Sequence, residues 1–418
     1  MRSRKLIYKP ALILLLLLSL FCTSGYPSGF LVYNQDATSA AMGDAFTAIA
    51  DNGSAVFYNP AGINQLEGTQ IRSCFQLVVP NTSFRDSSSG NKTDMHDKIS
   101  TLINGYITHK VNDKISIGGG IFTPFGLVTE WPSHWEGDYV STYADLRTFF
   151  VNPAISIQVH PRLSLAAGID YVYSDFKIRR SIGLNQLTGI PLGLSLGRIT
   201  LDGSDDSWGY NLGMLFHFND NWSLGVAYRS KVNLEFDGHA HYRMTPLLRP
   251  LFQPTDISPR IELPPLVSAQ IATQLGGKWT LASGITWTGW SVYDELTPKF
   301  RNDLLIPTKL KSSPQDWRDV LAFHLGVQYQ LDNIWAFRGG YIFDQTPVPE
   351  KTLGPMVPDA DGHLFSLGIG YEQDNVSIDL ASMVMFFPDR NTRRNIDGLN
   401  GKYTSTTVTL LVSLTYRF

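Results

Sequence analysis

The sequence predicts an all-β transmembrane fold: a 14-stranded antiparallel outer-membrane β-barrel with a small N-terminal helical plug inside its lumen. Three observations carry this prediction. The chain opens on an export leader, its body alternates apolar and polar residues with a period of two, and tight turns alternate with long irregular loops.

The leader comes first. Arg2, Arg4, Lys5 and Lys9 precede an apolar run from Ala11 to Phe21, and the small residues Thr23, Ser24 and Gly25 follow. This is the order of a secretory signal peptide. The run is shorter than the roughly 20 residues a transmembrane helix needs; a short membrane anchor is the alternative. Residues 1–25 are therefore assigned to the signal. Cleavage near Gly25 leaves Cys74 as the remaining one of the two cysteines, so no intrachain disulfide is expected. A net charge of −3 implies no nucleic-acid partner. Charged residues make up 17% of the chain, below the usual quarter, while aromatics reach 12%. A barrel has this profile, because its polar lumenal half cancels its lipid-facing half in the average.

The alternation is explicit. Phe149, Val151, Ile155, Ile157 and Val159 fall on one face of their segment, and Asn152, Ser156, Gln158 and His160 on the other. The pattern recurs at Trp208, Tyr210, Leu212, Met214 and Phe216, and again at Leu321, Phe323, Leu325 and Val327. The chain ends in the same way, with Leu414, Tyr416 and Phe418 apolar around Thr415 and Arg417. A period of two means strands with one apolar face. Short polar turns near Asn112, Pro161, Asn219, Gly276, Asp332 and Asp374 alternate with long stretches near 82–97, 128–145, 177–206, 230–263, 289–319, 344–362 and 386–404. Six turns and seven loops join an even number of strands, as in bacterial outer-membrane barrels. Closure also removes the sheet edges that such strands would expose. Trp222, Trp279 and Trp335 directly follow short turns and suit a periplasmic aromatic girdle. A soluble sandwich or propeller also uses alternating strands, but does not explain the repeated long loops.

Residues 26–65 read differently from the barrel region, 66–418. In "DATSAAMGDAFTAIAD", Ala37, Ala41, Ala45 and Ala48 share one helical face, and small residues allow close approach to a wall. Asp36 or Thr38 suits the N-cap. Pro60 disfavours a helical Asn59 and ends the segment. The expectation is a plug within the lumen; a peripheral periplasmic helix is the alternative.

The stretch "GFLVYNQDATSAAMGDAFTAIADNGSAVFYNPAGI" resembles the N-terminal hatch of the FadL/TodX family of outer-membrane transporters for hydrophobic compounds. "FTPFGLVTEW", "NPAISIQVHPRLSLAAGIDYVYSDFKI", "WGYNLGMLFHFNDNWSLGVAYRSKV", "WTGWS" and "FDQTPVP" carry the likeness onward to Phe418. Asn59, Pro60 and Ala61 are its most specific part. The resemblance implies a monomer that captures long-chain fatty acids or aromatic hydrocarbons at its loops. Cargo then diffuses through the interior and leaves sideways at a kink in the third strand, with no energy source and no cofactor. Its partners are hydrophobic small molecules or lipids, with outer-membrane lipid and lipopolysaccharide around it.

Residues for that route can be named. In "GGGIFTPFG", Pro124 cannot donate to a ladder, so Phe122, Pro124, Phe125 and Gly126 mark either a gap in the wall or simply the strand's end. Leu192 and Leu194 belong to one leucine-rich loop, and Leu248 and Leu251 to another. Such apolar patches mark binding unless the leucines merely pack on each other. A carboxylate cargo needs a cationic donor once dehydrated. The resemblance places that role on Lys177 and Arg180 of "KIRR" and Arg318 of "DWRD", each of which is otherwise an ordinary solvated charge. Arg72, Arg229 and Arg338 are expected to face the lumen.

A polar-solute porin and an outer-membrane hydrolase are the alternative functions. "GLSLG" at 193–197 matches the nucleophile elbow, but that motif needs a strand–turn–helix around Ser195. His239 and His241 share a strand face without an evident third metal ligand. "DADG" at 359–362 reads as a turn.

Overall fold

The computed structural model describes residues 29–183, 195–301 and 313–418. Among these residues no helix is long and apolar enough to cross a membrane. Strands cross it instead. Fourteen of them form the wall: β1 (Thr69–Asp86), β2 (Ser100–Lys110), β3 (Ile115–Phe122, resuming as Gly126–Glu130), β4 (Tyr143–His160), β5 (Leu163–Gly183), β6 (Ser195–His217) and β7 (Trp222–Arg229). The second half comprises β8 (Leu266–Leu275), β9 (Trp279–Thr288), β10 (Val320–Gln330), β11 (Trp335–Asp344), β12 (Gly362–Gln373), β13 (Val376–Phe386) and β14 (Gly401–Arg417). Each strand is antiparallel to its neighbours, and β1 pairs with β14 from Gln70↔Arg417 to Asp86↔Gly401, so the sheet closes. Closure pairs the first strand with the last and so removes the open sheet edges, which is what allows a sheet to sit in lipid.

The predicted faces are the observed ones. Phe149, Val151, Ile155, Ile157 and Val159 point outward and are exposed, as are Ile169, Tyr173, Trp208, Tyr210, Phe323, Leu325, Leu414 and Tyr416. Ser413, Thr415, Ser156 and Asn152 point inward and are buried. β7, β9 and β11 begin at Trp222, Trp279 and Trp335. Trp279 lies 4.6 Å from Tyr329 and Trp335 4.9 Å from Tyr371, forming part of an aromatic belt near the short turns.

Two expectations are corrected. The segment expected to be loop at 177–206 is mostly strand, because β5 runs to Gly183 and β6 starts at Ser195. Outside the lipid belt these strands keep one polar face (Lys177, Asp202), while Phe176, Ile182, Ile199 and Leu201 bury the other beneath the loops. The helix expected from the Asp36 or Thr38 cap toward the Pro60 stop is confined, at its start, to α1 (Ala37–Ala41). Gly43, Asp44 and Ala50 take positive φ, so the chain turns repeatedly instead of winding on. A second short helix, α2 (Ala55–Tyr58), ends at an extended Asn59, and a 3-10 turn spans Pro60–Gln65. Asp36 caps α1 by accepting from the Thr38 amide at 2.9 Å.

These pieces lie inside the lumen. Five inward glycines of the wall make room for them. A Cβ on Gly340 would stand 2.0 Å from the Gly43 nitrogen, and one on Gly225 2.1 Å from the Thr47 carbonyl oxygen. At Gly213, Gly326 and Gly368 a Cβ would stand 2.4 Å from Asn59, Met42 and Ala41.

Candidate functional site

The plug is held by a buried polar network. Arg72 of β1 donates to Asp36 through Nε at 2.6 Å and through Nη2 at 2.9 Å. The same guanidinium reaches Asp379 at 3.0 Å, and Arg338 reaches Asp379 at 2.8 Å. Ser413 adds a hydroxyl to Asp36 at 2.8 Å. All three arginines expected in the lumen face it. Asn59 is fully buried, and its Nδ2 donates to the Thr47 carbonyl at 2.8 Å and to the Met214 carbonyl of β6 at 2.9 Å. Pro60 and Ala61 are buried beside it, with Ala61 donating its amide to Asn59 Oδ1 at 3.2 Å. The "NPA" triplet thus ties two plug segments to the wall.

The third strand is interrupted. Its first segment pairs with β2 only from Lys110 to Gly105. Its second segment, from Gly126, pairs with β4 alone. Ser100–Asn104 of β2 have ladder partners on β1 but none on the β3 side among the described residues. Phe122 stands opposite Phe150 and Gly126 opposite Arg147, so one residue is extra on β3, the count of a β-bulge. The start of the plug takes up the freed backbone groups. Val32 donates to the Pro124 carbonyl at 2.8 Å, and Gly126 donates to the Phe30 carbonyl at 2.9 Å. Gln35 both accepts from the Thr123 amide at 3.2 Å and donates to its carbonyl at 3.0 Å. Phe122 and Phe125 are buried among aromatic rings, Phe122 stacking 6.0 Å from Phe150.

A cavity of about 530 Å³ passes beside this interruption. Asn34, Gln76 and Thr407 line it on the lumenal side. Ile99, Ile103 and Phe149, which line its outer side, are exposed toward the lipid belt. Lys98 and Arg147 stand at its mouth, bound to Glu130 at 2.5 Å and to Asp145 at 2.6 Å. Below the plug lies a polar cavity of about 210 Å³, lined by Arg338, Arg417, Asp51 and Gln330.

The loops build a roof. Phe30 sits in a cage of Trp290, Tyr293 and Trp317 at 4.6–5.6 Å. An apolar cavity of about 60 Å³ lies beside it, lined in part by Leu127, Phe176, Ile178 and Val348. Gly29 donates its amide to Asp359 Oδ2 at 3.1 Å, and Thr346 donates its hydroxyl to the same oxygen at 2.5 Å. Burial pushes Asp359 up to about 7; the hydrogen bonds from Thr346 and Gly29 and the nearby Arg390 oppose that shift and are outweighed.

The sequence-predicted cations separate in space. Arg180 is half-buried on the inward face of β5. Lys177 is exposed on the outward face, in register with Asp202, and Arg318 is exposed in the loop before β10. Leu251 and its neighbour Leu247 are exposed on a hairpin tip, with Leu248 half-buried; they do not line the roof cavity. Leu192 and Leu194 lie outside the described residues. Ser195 begins a strand rather than a strand–turn–helix. Sequence reading missed Gln35, Asp359, Trp290 and Trp317. The signals available were the segments around them, "WTGWS", "DWRD" and "DADG", none of which singles out these side chains.

A family model described as outer membrane protein transport protein (OMPP1/FadL/TodX) matches residues 18–418. A long-chain fatty acid transport protein of Escherichia coli is 25% identical over 401 residues, covering 88% of this chain and 89% of its own. Outer membrane protein P1 of Haemophilus influenzae is 25% identical over 389 residues, covering 82% and 83%. A FadL homologue from Pseudomonas aeruginosa superposes with a TM-score of 0.84 at 22% identity, over 94% of this chain and 100% of its own. The toluene transporter TodX of Pseudomonas putida gives 0.74 at 19% identity, over 95% and 99%. With this barrel, its lumenal plug and a match running almost end to end, the chain belongs to the OMPP1/FadL/TodX family of outer-membrane transport proteins, and is a transporter rather than an enzyme.

Proposed function

We propose that this protein moves hydrophobic molecules passively across the outer membrane, taking them in at the roof and releasing them sideways through the interruption in β3. The observation that carries this reading is the 530 Å³ cavity, whose lining passes from lumenal Asn34 and Gln76 to lipid-facing Ile99 and Ile103. Each buried methylene gains about 0.8 kcal/mol, so an acyl chain is favoured along such a lining. The axial path offers the opposite: an apolar molecule going straight down meets Arg72, Arg338 and Asp379. Fatty acids are the leading cargo, since the E. coli relative aligned along most of this chain is a long-chain fatty acid transport protein. Aromatic hydrocarbons are the second, the cargo of the toluene transporter that shares the fold. Of the three cations assigned to a carboxylate, Arg180 is retained because it faces inward. Residues 1–25 act as the export signal, residues 26–65 as the plug and residues 66–418 as the barrel. The barrel works as a monomer, with lipopolysaccharide against its outer face.

The test uses purified protein in liposomes, with a fluorescent long-chain fatty acid, toluene and glucose as separate probes. Uptake of the fatty acid or toluene without glucose flux supports the reading. Gly126→Trp, placed where a Cβ has room, and Pro124→Val slow that uptake severalfold while leaving the heat-shifted gel mobility of the barrel intact. Unchanged uptake in both variants rejects the sideways exit, and glucose flux would indicate a porin instead.

A further inference from the structure

Arg229, the last residue of β7, stands where the plug, the interrupted strand and the wall converge. It is buried, and it pairs with Asp170 of β5, reaching past β6 to do so. The second oxygen of Asp170 accepts from no described group. The guanidinium faces three aromatic rings: Phe122 at 5.0 Å, Phe57 at 5.2 Å and Phe150 at 5.8 Å. It also donates to the Phe57 carbonyl at 3.4 Å. Phe57 belongs to plug helix α2, and Phe122 closes the first segment of β3 beside the interruption. The two rings meet edge to face at 5.1 Å.

We infer that Arg229 is a positioning residue that interlocks the plug with the side opening, so that α2 and the Phe122 edge are released together. A desolvated cation held over aromatic faces contributes to the packing of every ring it touches. Withdrawal of Phe57 removes one face of the cage and the carbonyl acceptor, leaving Arg229 anchored by Asp170 and Phe122 with one fewer wall around it. Conversely, movement of Phe122 exposes the cation that holds Phe57. A single charge thus reinforces the coupling of two motions that the Phe57–Phe122 ring contact already links. The inference rests on the sideways-exit reading for its purpose, though its geometry does not.

The test measures motion rather than uptake. Single reporters, Ala55→Cys in α2 and Thr123→Cys at the interruption, are placed in a Cys74→Ser background and reacted with a membrane-impermeant maleimide. Both positions are buried. Arg229→Met is expected to raise both labelling rates at least tenfold, and Asp170→Asn, which keeps the shape, to raise both about threefold. Arg229→Lys, which keeps the charge, returns both toward the parent rate. Barrel integrity is checked by gel mobility before and after boiling; if Arg229→Met does not fold, Asp170→Asn and Arg229→Lys carry the test. The inference is overturned if one reporter moves without the other, if neither moves, or if the Lys and Met variants label equally. Such a failure leaves the sideways exit standing, whereas unchanged uptake through a blocked interruption removes the exit and leaves the labelling result intact.

Discussion

Arg72 of the wall and Asp36 of the plug form an ion pair 2.6 Å long from which solvent is excluded, at 1% and 0% side-chain exposure. Removing one member of such a pair strands the other in a dry site, at about 3–5 kcal/mol. Arg72→Met is therefore expected to loosen the plug while the barrel ladder, made of main-chain bonds, persists. Planar-bilayer conductance should rise, and new chymotrypsin cleavage within the plug, at Phe46 or Phe57, would report the same event; parent-like conductance with an intact barrel contradicts it.

Gly340→Val is expected to displace the plug without breaking the wall. Its Cβ would meet the Gly43 nitrogen at 2.0 Å and the Met42 carbonyl carbon at 2.4 Å, both backbone atoms that cannot swing aside. Gly105→Val is the control, since a Cβ there meets open space. Hydrogen exchange of residues 36–50 should accelerate in the first variant and not in the second.

Asn59→Asp keeps the shape of the side chain and its acceptor for Ala61 but removes both Nδ2 donations. Two buried carbonyls, of Thr47 and Met214, lose a donor each. Each unmet buried carbonyl costs about 1–3 kcal/mol, and the buried carboxylate facing them adds to that. Plug protection against exchange should fall by the corresponding factor, with barrel melting little changed.

The roof is expected to respond to pH through Asp359. Its latched pKa is raised by burial to about 7, above the solvated value of 3.8, so the latched state holds an extra proton between those values. Stability of the latch is thus full in acid and is lost as pH rises through about 7. Arg390, Asp361, Arg318 and Glu350 surround the site and shift the midpoint without reversing the sign. Trp290 and Trp317 pack on Phe30, next to the Gly29 amide, so tryptophan emission should titrate near neutrality. Asp359→Asn should flatten that titration; an equally steep curve in the variant would assign it elsewhere.

Much of this molecule is legible from residue order alone. Period-two alternation told lipid face from lumen face at Phe149 and Asn152, and polar dipeptides located the turns, because both signals are local and a strand exposes successive residues to opposite media. Pro124 was visible as a residue that removes a ladder donor wherever it stands, but residue order left a gap in the wall and a plain strand end as alternatives. What residue order left open is which inward groups meet. Asp36, Arg72 and Asp379 obey the same alternation as any lumenal residue, and nothing local distinguishes a paired charge from a hydrated one. Their union across hundreds of residues, the seating of α1 against wall glycines and the capture of the Gly29 amide by Asp359 were decided by closure of the barrel, which brings distant strands to one axis and excludes the water that would otherwise have satisfied each group separately.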